Sequence, residues 1–450
     1  MTPYRAQLDA IMPTALTGSV MRTLGATVAV ADFPAPIGAE VQIERQSGPL
    51  RGEVVGFRDS QTLVFPLGDV DGVRRGNRVR LVRTARFVHV GQELLGRIVN
   101  AHGDPIDGKP RPVLTERASL DRRPPPAVLR PRIDSPLSTG IRALDGLLTC
   151  GKGQRMGIFS GSGVGKSVLL GMMARYTTAE VNVIALVGER GREVNEFLER
   201  DLGPAGLARS VVVVATSDEP AVVRVRAAQV ATSIAEYFRD AGRDVLLLVD
   251  SLTRFAIAQR EIGLAAGEPP TTRGFTPSVF ALLPRLLERA GRGPQGSITA
   301  FYSVLVEGDD PQEPIADAVR GILDGHTWLS RKLSSRGHYP AIDLLESISR
   351  LATDITPADQ QAATFLVREL LAAYRDHEDL ISIGAYHRGS NATVDTAIEM
   401  LDSINALLRQ KIEEKSNVEQ ARSELLKLAQ ACQARRAKTR SAEPTTAANS

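Results

Sequence analysis

The feature that most constrains this chain of 450 residues is a glycine-rich octapeptide between an apolar run and a helical run. Residues 156–159 have the composition of a buried strand, and residues 168–174 that of a helix. The octapeptide consists of Ser160, Gly161, Ser162, Gly163, Val164, Gly165, Lys166 and Ser167. A strand, such a loop and a helix form a phosphate-binding loop, in which backbone N–H groups surround phosphate oxygens at a helix N-terminus. The sequence therefore predicts a nucleotide site, with Lys166 on the β- and γ-phosphates and the Ser167 hydroxyl on Mg²⁺.

The same alternation of strands and helices continues through the central part of the chain, from Arg155 to about Arg350. Apolar runs of strand length occur at 156–159, 183–187, 211–215, 245–249 and 298–302. Runs of this kind, separated by helical stretches, are typical of a mostly parallel sheet covered by helices on both faces. We predict an α/β nucleotide-binding core over residues 93–360.

A different pattern precedes the core. Short runs rich in Val and Leu are separated by Gly, Pro and Asp, at 28–30, 40–43, 54–57, 62–65 and 78–81. This pattern predicts a small β-barrel within residues 1–92. After Gly91 the chain becomes rich in Pro and Arg, which excludes regular helix and indicates a passage over the surface.

The C-terminal part reads as helix beyond Thr356. Apolar residues recur there at three- and four-residue spacing, at Val394, Ile398, Leu401, Ile404 and Leu408. We predict a helical domain over residues 361–434. Residues 435–450 are basic and then polar, a composition that cannot offset the entropy of ordering, and they are predicted to be a disordered tail.

Composition excludes several classes. The chain has 55 Lys and Arg against 52 Asp and Glu, a formal charge of +3, which does not predict binding to nucleic acid or an acidic membrane. Its two cysteines, Cys150 and Cys432, lie far apart, as expected in a reducing compartment. There is no signal-peptide pattern and no apolar run of about 18 residues. We expect a cytoplasmic protein.

Two carboxylates follow predicted strands of the core. Asp250 ends the run 245–249, where an acidic residue can hold Mg²⁺ through water, although Asp there also suits the N-cap of a helix near Ser251. Glu189 follows the run 183–187 and can polarise an attacking water. Arg190 beside it could neutralise phosphate charge, or belong to a solvated charged loop.

Five segments give a specific resemblance, at 161–176, 188–194, 250–261, 267–270 and 337–343. They resemble the export ATPases of bacterial flagellar and type III secretion systems, relatives of the catalytic subunit of the rotary ATP synthases. The similarity runs from about Gly91 to Gly389 and is looser in the first eighty residues and the tail. It implies a RecA-like core that hydrolyses ATP with Mg²⁺.

The resemblance also implies roles for individual residues. Glu189 matches the catalytic glutamate, Arg190 a phosphate-contacting arginine, and Asp250 the magnesium-site aspartate, with Arg254 beside it. Tyr339 matches the aromatic residue that stacks on adenine.

Arg350 matches the arginine that enters the site of the neighbouring subunit, although alone it would read as a charge at a helix C-terminus. In the rotary synthases one subunit type supplies the glutamate and its sister supplies this arginine. A chain with both Glu189 and Arg350 is expected to form homo-oligomeric rings, most simply hexamers.

Several partners follow from the resemblance. The loop 267–278, and an acidic group at Glu307, Asp309, Asp310, Glu313 and Asp317, are expected to face the ring axis and contact a central stalk-like protein. The acidic group lacks the ligand spacing of a calcium loop. Residues 3–16 could form an amphipathic helix that docks a stator-like regulatory export protein, although Pro13 interrupts it. Chaperone–cargo complexes and a membrane export gate complete the expected partners, at the periphery of the inner membrane.

Three alternative functions compete with the interpretation as a flagellar export ATPase. A ring-shaped RNA translocase would need clustered aromatics on a basic N-terminal groove, whereas those of the first ninety residues are scattered, at Tyr4, Phe33, Phe57, Phe65 and Phe87. We therefore expect no sequence-specific nucleic-acid binding. A non-hydrolysing scaffold disagrees with the presence of Lys166, Glu189 and Asp250 together. The segments 188–204 and 297–310 look most like flagellar members, and virulence secretion remains the alternative to the flagellum.

Overall fold

The computed structural model describes residues 16–441 except 127, 129, 307, 309 and 311. The predicted N-terminal helix at 3–16, apart from Leu16, and residues 442–450 of the predicted tail lie outside the described residues.

A six-stranded closed barrel begins the described chain, with strand order β1-β2-β5-β4-β3-β6. Its strands are β1 (Thr17–Leu24), β2 (Thr27–Ala31), β3 (Glu40–Ile43), β4 (Leu50–Arg58), β5 (Gln61–Pro66) and β6 (Arg78–Arg83). Their inward side chains form a separate apolar core, in which Val28, Val41 and Val64 are fully buried. Each of the five predicted runs lies on one of these strands.

The Pro- and Arg-rich passage connects the barrel to the core and contributes strands of its own. These are β7 (Phe87–Val90), β8 (Arg97–Asn100) and β9 (Glu116–Ser119), followed by the short β10 (Pro136–Leu137) and β11 (Cys150–Gly151). β7 pairs with β9, and β8 joins the edge of the central sheet beside a later strand. Sequence reasoning missed β8, because Arg97 and Asn100 at its ends leave only two apolar residues, Ile98 and Val99, between them.

The central sheet has nine strands in the order β19-β18-β12-β17-β15-β13-β14-β8, with β16 paired to β17 outside this path. The remaining strands are β12 (Arg155–Ser160), β13 (Val181–Glu189), β14 (Ser210–Thr216), β15 (Asp244–Asp250), β16 (Gly291–Arg292), β17 (Ser297–Leu305), β18 (Gly325–Leu329) and β19 (Ile342–Ser349). All neighbours are parallel except the pairs β18–β19 and β16–β17. All nine residues of β13 are buried, because helices cover both faces.

Helices pack on both faces of this sheet and then form a C-terminal bundle. They are α1 (Arg142–Leu147), α2 (Lys166–Tyr176), α3 (Gly191–Glu196), α4 (Gly203–Ala208), α5 (Ala221–Asp240), α6 (Leu252–Ala266), α7 (Pro277–Leu287), α8 (Pro314–Ile322), α9 (Arg331–Ser335), α10 (Ala352–Ile355), α11 (Ala358–Ser382), α12 (Ala392–Leu408) and α13 (Val418–Ser441). A π-helical segment (Phe197–Leu202) and two 3₁₀ turns (Gln92–Leu94 and Thr272–Gly274) complete the described elements. None of the helices in this described part has the length and apolar character that crossing a bilayer requires.

The C-terminal helix extends beyond the predicted start of the disordered tail at residue 435, which is a correction. α13 continues to Ser441. Arg435 forms an ion pair with Glu399 of α12, and Arg436 binds Glu369 of α11 at 2.8 and 3.0 Å. These pairs tie the basic residues to the bundle, which composition alone could not show.

Candidate active site

The phosphate-binding loop connects the end of β12 to the start of α2. Gly163 and Gly165 have φ of 78° and 91°, the left-handed region that glycine adopts without strain. Val164 is buried and anchors the loop, while Ser162 and Gly163 are exposed. The loop therefore presents its backbone to a ligand at the N-terminus of α2.

A lysine between two carboxylates lies beside this loop. Lys166 forms a direct ion pair with Oδ1 of Asp250, and its Nζ lies 3.8 Å from Oε1 of Glu189. The Ser303 hydroxyl donates to the same Asp250 oxygen at 2.6 Å. These residues lie on or follow β12, β13, β15 and β17, whose carboxyl ends form one edge of the sheet. The structure thus brings together three residues that the sequence predicted separately.

Glu189 is the most perturbed acid of this cluster. Burial raises the pKa of its carboxyl to about 7, the negative charge of Asp250 adds to the increase, and Lys166 and Arg254 oppose it. Glu189 is 8% exposed, and no described residue hydrogen-bonds to its Oε1. A carboxyl with a pKa near neutrality and an oxygen that no described residue hydrogen-bonds can take up a proton from a bound molecule.

Arg254 of α6, rather than Arg190, is the arginine at this acid. Its Nε lies 3.3 Å from Oε1 of Glu189, and its guanidinium donates to the Gly188 carbonyl at 2.6 Å. The Arg190 side chain is 76% exposed and lies 3.7 Å from Glu193. Because β13 ends at Glu189 and α3 begins at Gly191, Arg190 extends into solvent. Its contact with phosphate stays a prediction.

The residues also suit a hard divalent cation, which prefers oxygen ligands. Within the described residues, the Ser167 hydroxyl and the second carboxylate oxygen of Asp250 have no hydrogen-bond partner, while Oδ1 of Asp250 is held by Lys166 and Ser303. Ser167 and Asp250 could therefore hold Mg²⁺ between the loop and β15.

A cavity of about 910 Å³ extends from the loop to the C-terminal bundle and is here called the nucleotide cavity. Gly163, Gly165 and Tyr339 line one side of it, and residues 409–414, which follow α12, line the other. The Tyr339 ring is close enough to Gly165 that a Cβ there would lie 3.5 Å from it. An aromatic ring beside a phosphate-binding loop can stack on a base.

The loop 409–414 was missed by sequence reasoning, since no local pattern distinguishes it. Gln410 fixes it: its N–H donates to the Tyr339 carbonyl at 3.0 Å, its amide donates to the Gly140 carbonyl at 2.8 Å, and its side-chain oxygen accepts from the Arg142 N–H at 2.7 Å.

Arg350 lies at the opposite edge of the sheet from these groups. It directly follows β19, which is antiparallel to β18, so Ser349 pairs with Gly325 at the amino end of β18. Because β18 is parallel to β12, Arg350 lies near the amino end of β12, roughly 13 Å of strand from Ser160 at about 3.3 Å per residue. Its guanidinium is exposed and donates to the Arg320 carbonyl at 3.4 Å. Arg350 therefore cannot reach the phosphate-binding loop of its own chain.

The two segments predicted to face a ring axis contact each other. Arg273, in the exposed loop 267–278, forms an ion pair with Asp310 at 3.0 Å. Glu307 and Asp309 of the acidic group lie outside the described residues. The part of the chain that the structure describes contains no cluster of three or more His, Cys, Asp or Glu able to hold a metal.

These features define the class. A phosphate-binding loop at the carboxyl edge of a parallel sheet, with a lysine between two carboxylates and an aromatic-lined cavity, is the arrangement of a P-loop ATPase with a RecA-like core.

Comparison with known proteins identifies the family. Residues 140–349 match the nucleotide-binding domain of the ATP synthase alpha/beta family, residues 20–82 match its beta-barrel domain, and residues 356–427 match the T3SS EscN ATPase C-terminal domain. The chain belongs to the family of flagellum-specific ATP synthases and type 3 secretion system ATPases, and it is an ATP-binding ATPase.

Individual relatives cover nearly the whole chain. The flagellum-specific ATP synthase of Bacillus subtilis is 50% identical over 414 residues, 91% of this chain and 94% of the relative. The type 3 secretion system ATPase of Xanthomonas euvesicatoria is 51% identical over 404 residues, 89% of this chain and 91% of the relative.

Solved structures agree with this similarity. The assembled ATPase EscN from the enteropathogenic E. coli type III secretion system has a TM-score of 0.88 at 44% identity and covers 92% of this chain and 100% of EscN. EscN in complex with its central stalk EscO has a TM-score of 0.85 at 43% identity, with the same coverage of both chains.

Proposed function

We propose that this ATPase is the hydrolytic motor of a flagellar protein export apparatus. Hydrolysis at the interfaces of a homohexameric ring releases chaperones from cargo and delivers unfolded cargo to a membrane export gate. The observation that carries the ring is the position of Arg350. A group that the family likeness assigns to catalysis lies on the opposite edge of the sheet from Lys166, Glu189 and Asp250, where only a neighbouring copy can use it.

In this proposal each site residue has one task. Lys166 neutralises charge on the transferring phosphoryl group, and Glu189 accepts a proton from the attacking water. Ser167 and Asp250 hold Mg²⁺, which when bound supplies positive charge to the β- and γ-phosphate oxygens. Arg350 of one copy stabilises the transition state in the next, an effect worth about 10³ to 10⁵ in rate in comparable enzymes.

The partners are proposed from the relatives and from the exposed loops. EscN has been solved in assembled form and with a central stalk. The loop 267–278, tied to Asp310 by Arg273, is a suitable contact for such a stalk because most of it is exposed. The N-terminal barrel closes the ring as a collar, and residues 3–16 bind a stator-like regulatory protein at the inner membrane.

Mixing two inactive variants tests the shared site. ATPase rate is measured against protein concentration for the wild type, Glu189→Gln, Arg350→Ala, and an equimolar mixture of the two variants. Each variant alone should be inactive. In mixed rings, about a quarter of the head-to-tail interfaces combine an intact Glu189 with an intact Arg350, so activity should return to about that fraction.

Arg350→Lys serves as the matched control, since it keeps the charge but loses the planar donor geometry and should recover little activity. An active Arg350→Ala, with a rate per chain that does not depend on concentration, would refute the shared site.

Virulence-type secretion is the second candidate, because the Xanthomonas ATPase is as similar to this chain as the Bacillus flagellar relative. Deletion of the gene in the source bacterium separates the two. The proposal expects loss of flagellin export and of motility. Retained motility with loss of an injected substrate would assign the chain to the other system.

A further inference from the structure

A second cavity, of about 390 Å³, lies between β19, α9 and the two helices α11 and α12, and is here called the helix cavity. Its volume falls within the range of about 300 to 1,000 Å³ that small-molecule sites occupy. Its lining is separate from the phosphate-binding loop. Among the described residues, Arg409 is the one that lines both this cavity and the nucleotide cavity.

A buried polar atom in the lining has no partner. His338 is 3% exposed, and no described residue hydrogen-bonds to its Nε2. Burial lowers the pKa of the His338 ring to about 4, and the positive charge of Arg409 adds to the decrease, so the ring is neutral at physiological pH. A buried polar nitrogen without a partner costs free energy, which a ligand with a hydroxyl or carboxylate would remove.

The charge of the lining favours an anion. The charged residues of the lining are four cations and two carboxylates. The cations are Lys332, Arg336, Arg375 and Arg409, and the carboxylates are Asp343 and Glu378. Glu378 is shared by Lys332 at 2.6 Å and Arg336 at 2.8 Å, and Asp343 is bound by Arg375 at 2.6 Å. The Arg409 guanidinium has no ion pair within the part of the chain that the structure describes.

The rest of the lining is apolar. Leu333 of α9, Leu371 of α11 and Leu401 of α12 contribute to a surface that suits a hydrocarbon or aromatic group. A ligand that satisfies both parts therefore carries an acidic group on an apolar body.

The wall between the two cavities is formed by two short segments. His338 lines the helix cavity, and Tyr339 lines the nucleotide cavity; Arg409 lines both, and Gln410 lines the nucleotide cavity. The Gln410 N–H donates to the Tyr339 carbonyl at 3.0 Å, which joins the segments. A molecule that contacts His338 and Arg409 thus presses on the groups that hold Tyr339.

We propose that the helix cavity is a second ligand site for a small amphipathic organic acid, and that its occupation changes the affinity of the chain for ATP. The acidic group lies toward Arg409 and Arg336, a polar atom bonds His338, and the apolar body packs on Leu371 and Leu401. The site does not depend on the proposed role in export.

Fluorescent probes test the site directly on the full-length protein. Anilinonaphthalene sulfonate carries an acidic group on an aromatic body, and N-phenylnaphthylamine has the same body without the charge. Titrations use the wild type, Leu401→Trp, which fills the cavity, and Arg336→Gln, which removes a cation from its lining. Arg192→Gln is the matched control, because Arg192 is an exposed arginine of α3 outside the cavity.

The sulfonate probe should bind at a saturable site. It should still bind in saturating ATP, but with a dissociation constant that differs from the one measured without ATP. Leu401→Trp should weaken this binding by about ten-fold or more, Arg336→Gln by several-fold and Arg192→Gln not at all, and the uncharged probe should bind less tightly. ATP should bind with an affinity altered by the same factor when the probe is present, since coupling is reciprocal.

Competitive displacement by ATP would place the probe in the nucleotide cavity and overturn the proposal. So would unchanged binding in a folded Leu401→Trp, or equal binding of the two probes. Should Leu401→Trp fail to fold, the comparison of Arg336→Gln with Arg192→Gln decides, because both variants keep the apolar lining of the wild type.

Discussion

Nε of Arg254 lies 3.3 Å from Oε1 of Glu189, and neither atom has a hydrogen-bond partner among the described residues. The pair is held by Gly188, whose φ of 70° turns β13 so that its carbonyl accepts from Arg254 at 2.6 Å. A Cβ at Gly188 would lie 3.0 Å from Cδ of Arg254, so a larger residue there would displace the arginine. The acid and the guanidinium are thus fixed together, and each keeps one buried atom without a hydrogen-bond partner among the described residues.

The first prediction concerns pH. Glu189 has a pKa of about 7, so it is protonated below that pH and ionised above it. A base must be ionised to take up a proton, so kcat/KM for ATP, which reports the free enzyme, should fall as pH drops through about 7. Glu193→Ala should move this acid limb to lower pH, because the hydrogen bond that protonated Glu189 donates to the Glu193 carboxylate raises the pKa of Glu189. A kcat/KM that is flat across neutral pH would contradict the assignment.

The second prediction concerns Arg254. Arg254→Gln removes a positive charge that lowers the pKa of Glu189, so the acid limb should move to higher pH. The rate should also fall by about ten-fold or more, equivalent to about 1.4 kcal/mol of lost transition-state stabilisation. Arg192→Gln is the control, since Arg192 pairs with Glu196 on the surface of α3 and should have no effect. Steady-state rates across pH measure both changes; an unmoved acid limb would show that Arg254 does not act on Glu189.

Whether the sequence predicts a residue of this site depends on how far away in sequence the residues that position it lie. Lys166, Glu189 and Asp250 could be predicted because each follows an apolar strand, and the carboxyl ends of parallel strands meet at one edge. Gln410 could not be predicted, because it is positioned by Gly140 and Arg142, which are about 270 residues away in sequence. No local pattern records such a contact.

The same distinction explains the errors of the fold prediction. Five barrel strands (β2 to β6) and five core strands (β12, β13, β14, β15 and β17) carry their own apolar patterns and were predicted, whereas the other strands of the two sheets, β8 among them, were not. The continuation of α13 past residue 435 rests on ion pairs of Arg435 and Arg436 with other helices, so the local composition indicated disorder instead.

The third prediction concerns Tyr339. Tyr339→Ala should raise KM for ATP by about ten-fold or more with a smaller change in kcat, since base–aromatic stacking is worth about 1 to 3 kcal/mol. Tyr339→Phe keeps the ring and should retain nearly wild-type KM. Direct ATP binding to both variants distinguishes lost affinity from slower chemistry. A Tyr339→Phe as defective as Tyr339→Ala would assign the effect to the hydroxyl rather than to stacking.

The fourth prediction concerns the buried ion pair between Arg289 and Glu236, which are 4% and 2% exposed. Arg289 follows α7 and donates to Glu236 of α5 at 2.7 and 3.0 Å, to the Ser233 hydroxyl at 2.8 Å and to the Leu120 carbonyl at 2.8 Å. Arg289→Met leaves Glu236 buried without its partner, and breaking such a pair costs about 3 to 5 kcal/mol. Denaturant unfolding should show this loss.

Two variants separate the cost of an orphaned charge from that of altered packing. In Arg289→Met/Glu236→Leu both charges are removed, so much of the lost stability should return, because apolar groups of similar volume can replace a buried pair. Arg422→Gln breaks an exposed pair with Asp359, at 2.7 Å, and should cost less than about 1 kcal/mol. A double variant no more stable than Arg289→Met would mean that the hydrogen bonds from Arg289 to Leu120 and Ser233, and not its charge pairing with Glu236, hold α5 and the end of α7 together.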